Sequence, residues 1–112
     1  MDKMEIEQAP SRISDVTVFR LKGPFTLSTM FAFQDSLRNA GVNGAIVDLT
    51  DVPYLDSAGL GVLLGQFAHA QRAGKKFALV GISARVRIIF EITNTDKALP
   101  IFATQADAEN SF

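Results

Sequence analysis

Ala45-Ile46-Val47-Asp48-Leu49 is a short, nearly unbroken apolar run, the pattern of a strand covered on both faces. The segment Ser57 to Ala73 carries Leu60, Leu63, Leu64, Phe67 and Ala70 at helical spacing and stops at Gly74. A second apolar run, Lys76-Phe77-Ala78-Leu79-Val80-Gly81, follows at once. Strand, helix and strand in that order give parallel pairing through a right-handed crossover. A chain built around such a unit must place a buried sheet between helices.

The flanks extend the unit in both directions. Met4-Glu5-Ile6-Glu7-Gln8 alternates like an edge strand, Pro10-Ser11-Arg12 is turn material, and Val16-Thr17-Val18-Phe19-Arg20-Leu21 is a β-branched strand closed by Gly23-Pro24. These two strands are expected to pair antiparallel. Ser28 or Thr29 caps a helix through Asn39, with Met30, Phe33, Leu37 and Ala40 inward and Gly41 past its end. Ser83 caps another, with Val86, Ile89 and Phe90 on its core face and Ile92 near its end. Pro100-Ile101-Phe102 is a last short strand, and Thr104 caps a terminal helix. The fold class is α/β: one domain over residues 1–112, a mixed sheet of four or five strands and about four helices.

Composition excludes several functions. Eleven basic and twelve acidic residues give a net charge of −1, so no basic field favours nucleic acid. Cysteine is absent and His69 is the single histidine, which removes disulfide, thiolate and multi-histidine metal chemistry. The charged amino terminus, Met1 to Gln8, is not a signal peptide. The apolar stretch Ala58 to Leu64 is too short to span a bilayer. A cytoplasmic protein with no membrane insertion is expected.

Ser57 lies in Tyr54-Leu55-Asp56-Ser57-Ala58-Gly59-Leu60-Gly61, between a strand and the longest helix. A hydroxyl there sits beside unpaired N–H groups and the positive helix end, an environment that holds a phosphate. The plain alternative is a helix cap with small residues for close packing. Both are accommodated if Asp56 caps and Ser57 points outward. Gly59, Gly61 and Gly65 lie inside the helix, not in a turn after a strand, which argues against a dinucleotide fingerprint. No Gly-Lys-Ser/Thr marks a phosphate loop, and Leu55 stands where a hydrolase elbow needs glycine. Asp48, Asp51 and Asp56 could gather around magnesium, but strand-end, turn and capping roles account for them, and no metal or cofactor is expected. His69 and the scattered Lys75, Lys76, Arg85 and Arg87 read as solvated surface.

The runs Ile46 to Leu49 and Val52 to Leu64, continued by Gly74 to Val80 and Val86 to Phe90, resemble the STAS domain of bacterial anti-sigma factor antagonists. The likeness covers residues 14–106. It implies a non-enzymatic regulator whose Ser57 is phosphorylated by a partner that is both serine kinase and anti-sigma factor. The unmodified domain sequesters that partner and frees a sigma factor, and a phosphatase resets the cycle. It further implies a docking surface of Pro24, Phe25, Thr26, Asp56, Ala58, Gly59 and Gly61, on a protein that is a monomer when alone. Family members often carry Gly-x-Leu/Phe-Asp where this chain has Gly23-Pro24-Phe25-Thr26. A second reading keeps the fold but makes the domain a constitutive docking subunit of a larger signalling or lipid-transport assembly.

Overall fold

The computed structural model describes residues 3–112. Five strands, β1 (Glu5–Pro10), β2 (Val16–Lys22), β3 (Gly44–Asp51), β4 (Lys76–Val80) and β5 (Ile101–Phe102), form one sheet in the order β1-β2-β3-β4-β5. β1 and β2 pair antiparallel, and all other pairs are parallel. The helices are α1 (Met30–Ala40), α2 (Ser57–Ala73), α3 (Ala84–Ile92) and α4 (Gln105–Ser111), with a short 3₁₀ turn at Thr95–Lys97.

Strand alternation divides the interior in two. Phe19, Leu21, Ala45, Val47, Leu49, Phe77 and Leu79 face one way and pack with Phe33, Leu60, Leu63, Val86 and Phe90 from α1, α2 and α3. Phe25 and Phe33 meet edge to face at 5.4 Å, and Phe19 completes the aromatic group. On the opposite face Val16, Val18, Ile46, Ala78 and Val80 are covered by Ala108 of α4 and by Ile13 and Phe112.

Two element boundaries and the buried stripe of α2 depart from the sequence expectation. β1 runs on to Pro10, which pairs with Thr17 at the strand's last position instead of opening the turn; an edge strand tolerates proline there. β3 continues to Asp51, so Asp48 lies within the strand and Asp51 is no turn residue. Leu64 and Phe67 are only partly buried, while Val62 is buried, because α2 presents a stripe centred on Leu63. Ile92 is the last residue of α3, near the helix end as expected, and is 73% exposed.

α4 is fastened by Glu109. Its carboxylate accepts from the Ser11 hydroxyl at 2.5 Å, from the Arg12 backbone N–H at 3.0 Å and from the Gln105 amide at 3.2 Å, with the Arg12 guanidinium at 3.2 Å. The Ser11 hydrogen bond, foremost, holds this carboxyl below its usual value of 4.5. A depressed carboxylate pKa stabilises the fold above the unfolded value and loses that contribution as pH falls through the folded one. Glu109→Gln should therefore lower the urea midpoint at neutral pH and flatten the decline in stability on acidification below about pH 4.5. Denaturant titrations of both proteins across that range measure it; parallel pH profiles would count against the clamp.

Candidate functional site

The loops after β2 and β3 are stitched together at the amino end of α2. Phe25 and Leu55 form a parallel bridge. The Phe25 N–H donates to the Tyr54 carbonyl at 3.1 Å, and the Asp56 N–H donates to the Phe25 carbonyl at 3.3 Å. Gly59 lies against that same carbonyl: a Cβ at position 59 would collide with the Phe25 oxygen. The close approach of helix to loop thus requires glycine.

Asp56 is the N-cap of α2, with extended backbone. One carboxylate oxygen accepts from the Gly59 N–H at 2.9 Å, the other from the Leu27 N–H at 3.1 Å. The Gly59 bond, and after it the Leu27 bond, hold the Asp56 carboxyl below its ordinary range against the opposing effect of burial. Ser57, the first residue of α2, is exposed, and its hydroxyl makes no hydrogen bond seen among the described residues. Capping and presentation therefore fall to different residues.

Of the residues named from the sequence, Ser57 and Gly61 are exposed, and Pro24, Asp56 and Ala58 are partly so. Phe25, Thr26 and Gly59 are buried, a correction to their expected place on the docking face. Phe25 is drawn into the aromatic core. Thr26 forms a turn whose N–H donates to the Thr29 hydroxyl at 2.9 Å and whose carbonyl accepts from the Met30 N–H at 2.8 Å. Thr29 in turn donates its hydroxyl to the Pro24 carbonyl, so α1 has no side-chain cap despite the threonine at its N-cap.

The surface offered instead includes Leu27 and Phe31, 61% and 60% exposed, and Tyr54 with the Arg85 guanidinium 5.9 Å from its ring centroid. The Leu27–Asp56 hydrogen bond places Leu27 at the start of α2. Leu27 and Phe31 were detectable as apolar residues off the Met30–Phe33–Leu37 stripe. Beyond Ser57, Gly61 and Gly65 follow at four-residue intervals, both exposed and open to space where a side chain would stand. The start of α2 presents a bare helix surface beside exposed apolar groups.

Asp48 is engaged elsewhere. It accepts from Thr50 and faces Arg20 at 3.7 Å. No group of acidic or histidine side chains suited to a metal ion occurs among the described residues, nor does any helix there have the length and apolarity to cross a membrane.

The STAS domain family model matches residues 8–108; the chain belongs to the STAS domain family. It is 35% identical over 74 residues to an anti-sigma factor antagonist homologue of Thermotoga neapolitana, the match spanning 66% of each chain. An anti-sigma factor antagonist of Mycobacterium paratuberculosis superposes with a TM-score of 0.83 at 20% identity, over 97% of this chain and 93% of that one. The phosphorylated form of the Bacillus cell fate determinant SpoIIAA superposes with a TM-score of 0.69 at 16% identity, over 98% and 100%.

Proposed function

We propose that this domain is an anti-sigma factor antagonist and that its binding to a serine-kinase anti-sigma factor is switched by phosphorylation of Ser57. The observation that carries the reading is the division of labour at the α2 start: Asp56 takes the cap, leaving the Ser57 hydroxyl exposed and without a hydrogen bond among the described residues. The family membership and the phosphorylated SpoIIAA structure support it. The docking face comprises Ser57, Gly61 and the partly exposed Pro24 and Ala58, edged by Leu27 and Phe31. Apolar groups exposed beside a modifiable hydroxyl suit a protein partner. The domain acts by binding, not catalysis, in the cytoplasm, and a phosphatase restores it.

Phosphate adds about −1.5 to −2 charges at neutral pH. The Asp56 carboxylate already occupies the Gly59 donor of the first turn, so the helix end offers a phosphate less compensation than an uncapped terminus would. Two neighbouring anions then confront any surface shaped for a neutral serine. Incubation with ATP and the cognate kinase, followed by peptide mass spectrometry, should locate phosphate on Ser57 and none in Ser57→Ala. Absence of modification by a kinase active on another substrate would shift the reading to a constitutive docking subunit.

A further inference from the structure

At the opposite end of the sheet, a cavity of about 460 Å³ opens between the carboxyl-terminal halves of α1 and α2 and the first residues of β3 and β4. Two small residues whose side chains face it, Ala45 and Ala70, line the gap where larger side chains would close it, and the Gly44 backbone completes that edge. The buried wall is apolar, with Ala45, Ala70 and Phe77 each less than 9% exposed. The exposed rim carries Arg38, Lys75 and Lys76 together with His69, and no carboxylate among the described residues lines the cavity. Arg38 is paired with Asp35 at 2.7 Å. Lys75 and Lys76 have no ion pair among the described residues.

We infer that this cavity binds an amphiphilic carboxylate, its alkyl chain on the Ala45–Ala70–Phe77 wall and its head group between Lys75 and Lys76. The volume falls in the range of small-molecule sites, roughly 300–1,000 Å³. The carboxyl ends of α1 and α2 lie nearby and bring about half a negative charge each. Two unpaired ammonium groups outweigh them, and the Arg38–Asp35 pair is neutral. A free phosphate would leave the apolar wall wet, and an uncharged alkyl chain would leave both lysines without a counter-ion. An amphiphilic anion satisfies both parts. The site is independent of Ser57, whose Cα lies about 18 Å from that of His69 by the rise of twelve residues along α2.

Calorimetry and amide chemical-shift mapping with decanoate, decanol, acetate and inorganic phosphate test the assignment. Decanoate should bind and shift amides at Leu37, Val42, Ala45, Ala70 and Phe77, with decanol, acetate and phosphate at least about tenfold weaker. Ala70→Leu fills the space and should abolish binding. The double variant Lys75→Gln/Lys76→Gln alters only exposed side chains and should weaken decanoate about tenfold without affecting decanol. Raising salt should weaken decanoate binding to the unaltered protein. Decanol or phosphate binding as tightly as decanoate, decanoate binding undiminished in the folded Ala70→Leu or double-lysine variant, shifts confined to other parts of the sheet, or no binding would each overturn it.

Discussion

Gly59→Ala should destabilise the domain by about 1–2 kcal/mol, whereas Gly61→Ala, two residues on in the same helix, should stabilise it by about 0.5–1 kcal/mol. The two changes are chemically identical. Both gain the better helix propensity of alanine, which favours the folded state by about 1 kcal/mol. At position 61 no atom of the described residues stands within 4 Å of the new Cβ, so the gain is kept. At position 59 the Cβ meets the Phe25 carbonyl oxygen and, at 3.4 Å, the Leu55 side chain. Phe25 is itself fixed by its bridge to Leu55 and its bond to Asp56, so the obstacle is backbone that cannot rotate aside. Overpacking costs about 1–3 kcal/mol; a collision with fixed backbone lies at the upper end, about 2–3 kcal/mol, and outweighs the propensity gain. Gly59→Val adds bulk and should cost more. Urea unfolding of the three variants decides the matter, and equal signs at 59 and 61 would show that the helix–loop contact is looser than described.

The second large effect concerns partner binding. Ser57→Asp should weaken association with the anti-sigma factor by roughly 2–5 kcal/mol, the cost of an uncompensated charge at a close interface. That corresponds to about thirtyfold to several thousandfold in Kd. Aspartate carries one charge and fewer acceptor oxygens than phosphate, so the phosphorylated protein should bind more weakly still. Gly61→Trp should abolish binding by steric exclusion while unfolding at a similar urea concentration, since the position is open. Tryptophan at exposed Arg72, near the far end of α2, should leave affinity within about twofold. Titration of each variant against labelled partner gives the comparison. Comparable losses at 61 and 72, with both proteins folded, would argue against an interface confined to the amino end of the helix.

What could be read from the sequence follows from which interactions are local. The apolar runs of β2, β3 and β4 and the caps at Asp56, Ser83 and Thr104 depend on residues a few positions apart, and all three caps accept the backbone N–H expected of them. The mixed sheet with one antiparallel edge also followed from the alternation of elements, whereas the strand order is seen only in the fold. The Pro24–Thr26 loop did not, because its fate is decided by Leu55, thirty residues beyond Phe25 in the chain. That bridge turns a prospective contact loop into core and hands the exposed positions to Leu27 and Phe31. Likewise Gly59 and Gly61 are equivalent in sequence, and only the helix phase against Phe25 separates a packing glycine from an open one. The cavity was invisible for the same reason: its small residues come from β3 and α2, and neither segment looks unusual alone.

The stitching of the two loops also bears on time. Ser57 stands on a helix whose first turn is pinned by the Asp56 cap and by the Phe25–Leu55 bridge, so no lid has to open and no segment has to order before a partner lands. Encounter between preformed surfaces proceeds at roughly 10⁵–10⁷ M⁻¹s⁻¹, without a slower rearrangement in series. In the proposed switch the domain therefore keeps no record of its past in its shape. The memory of a signal resides wholly in one covalent bond, and its persistence is set by the balance of kinase and phosphatase.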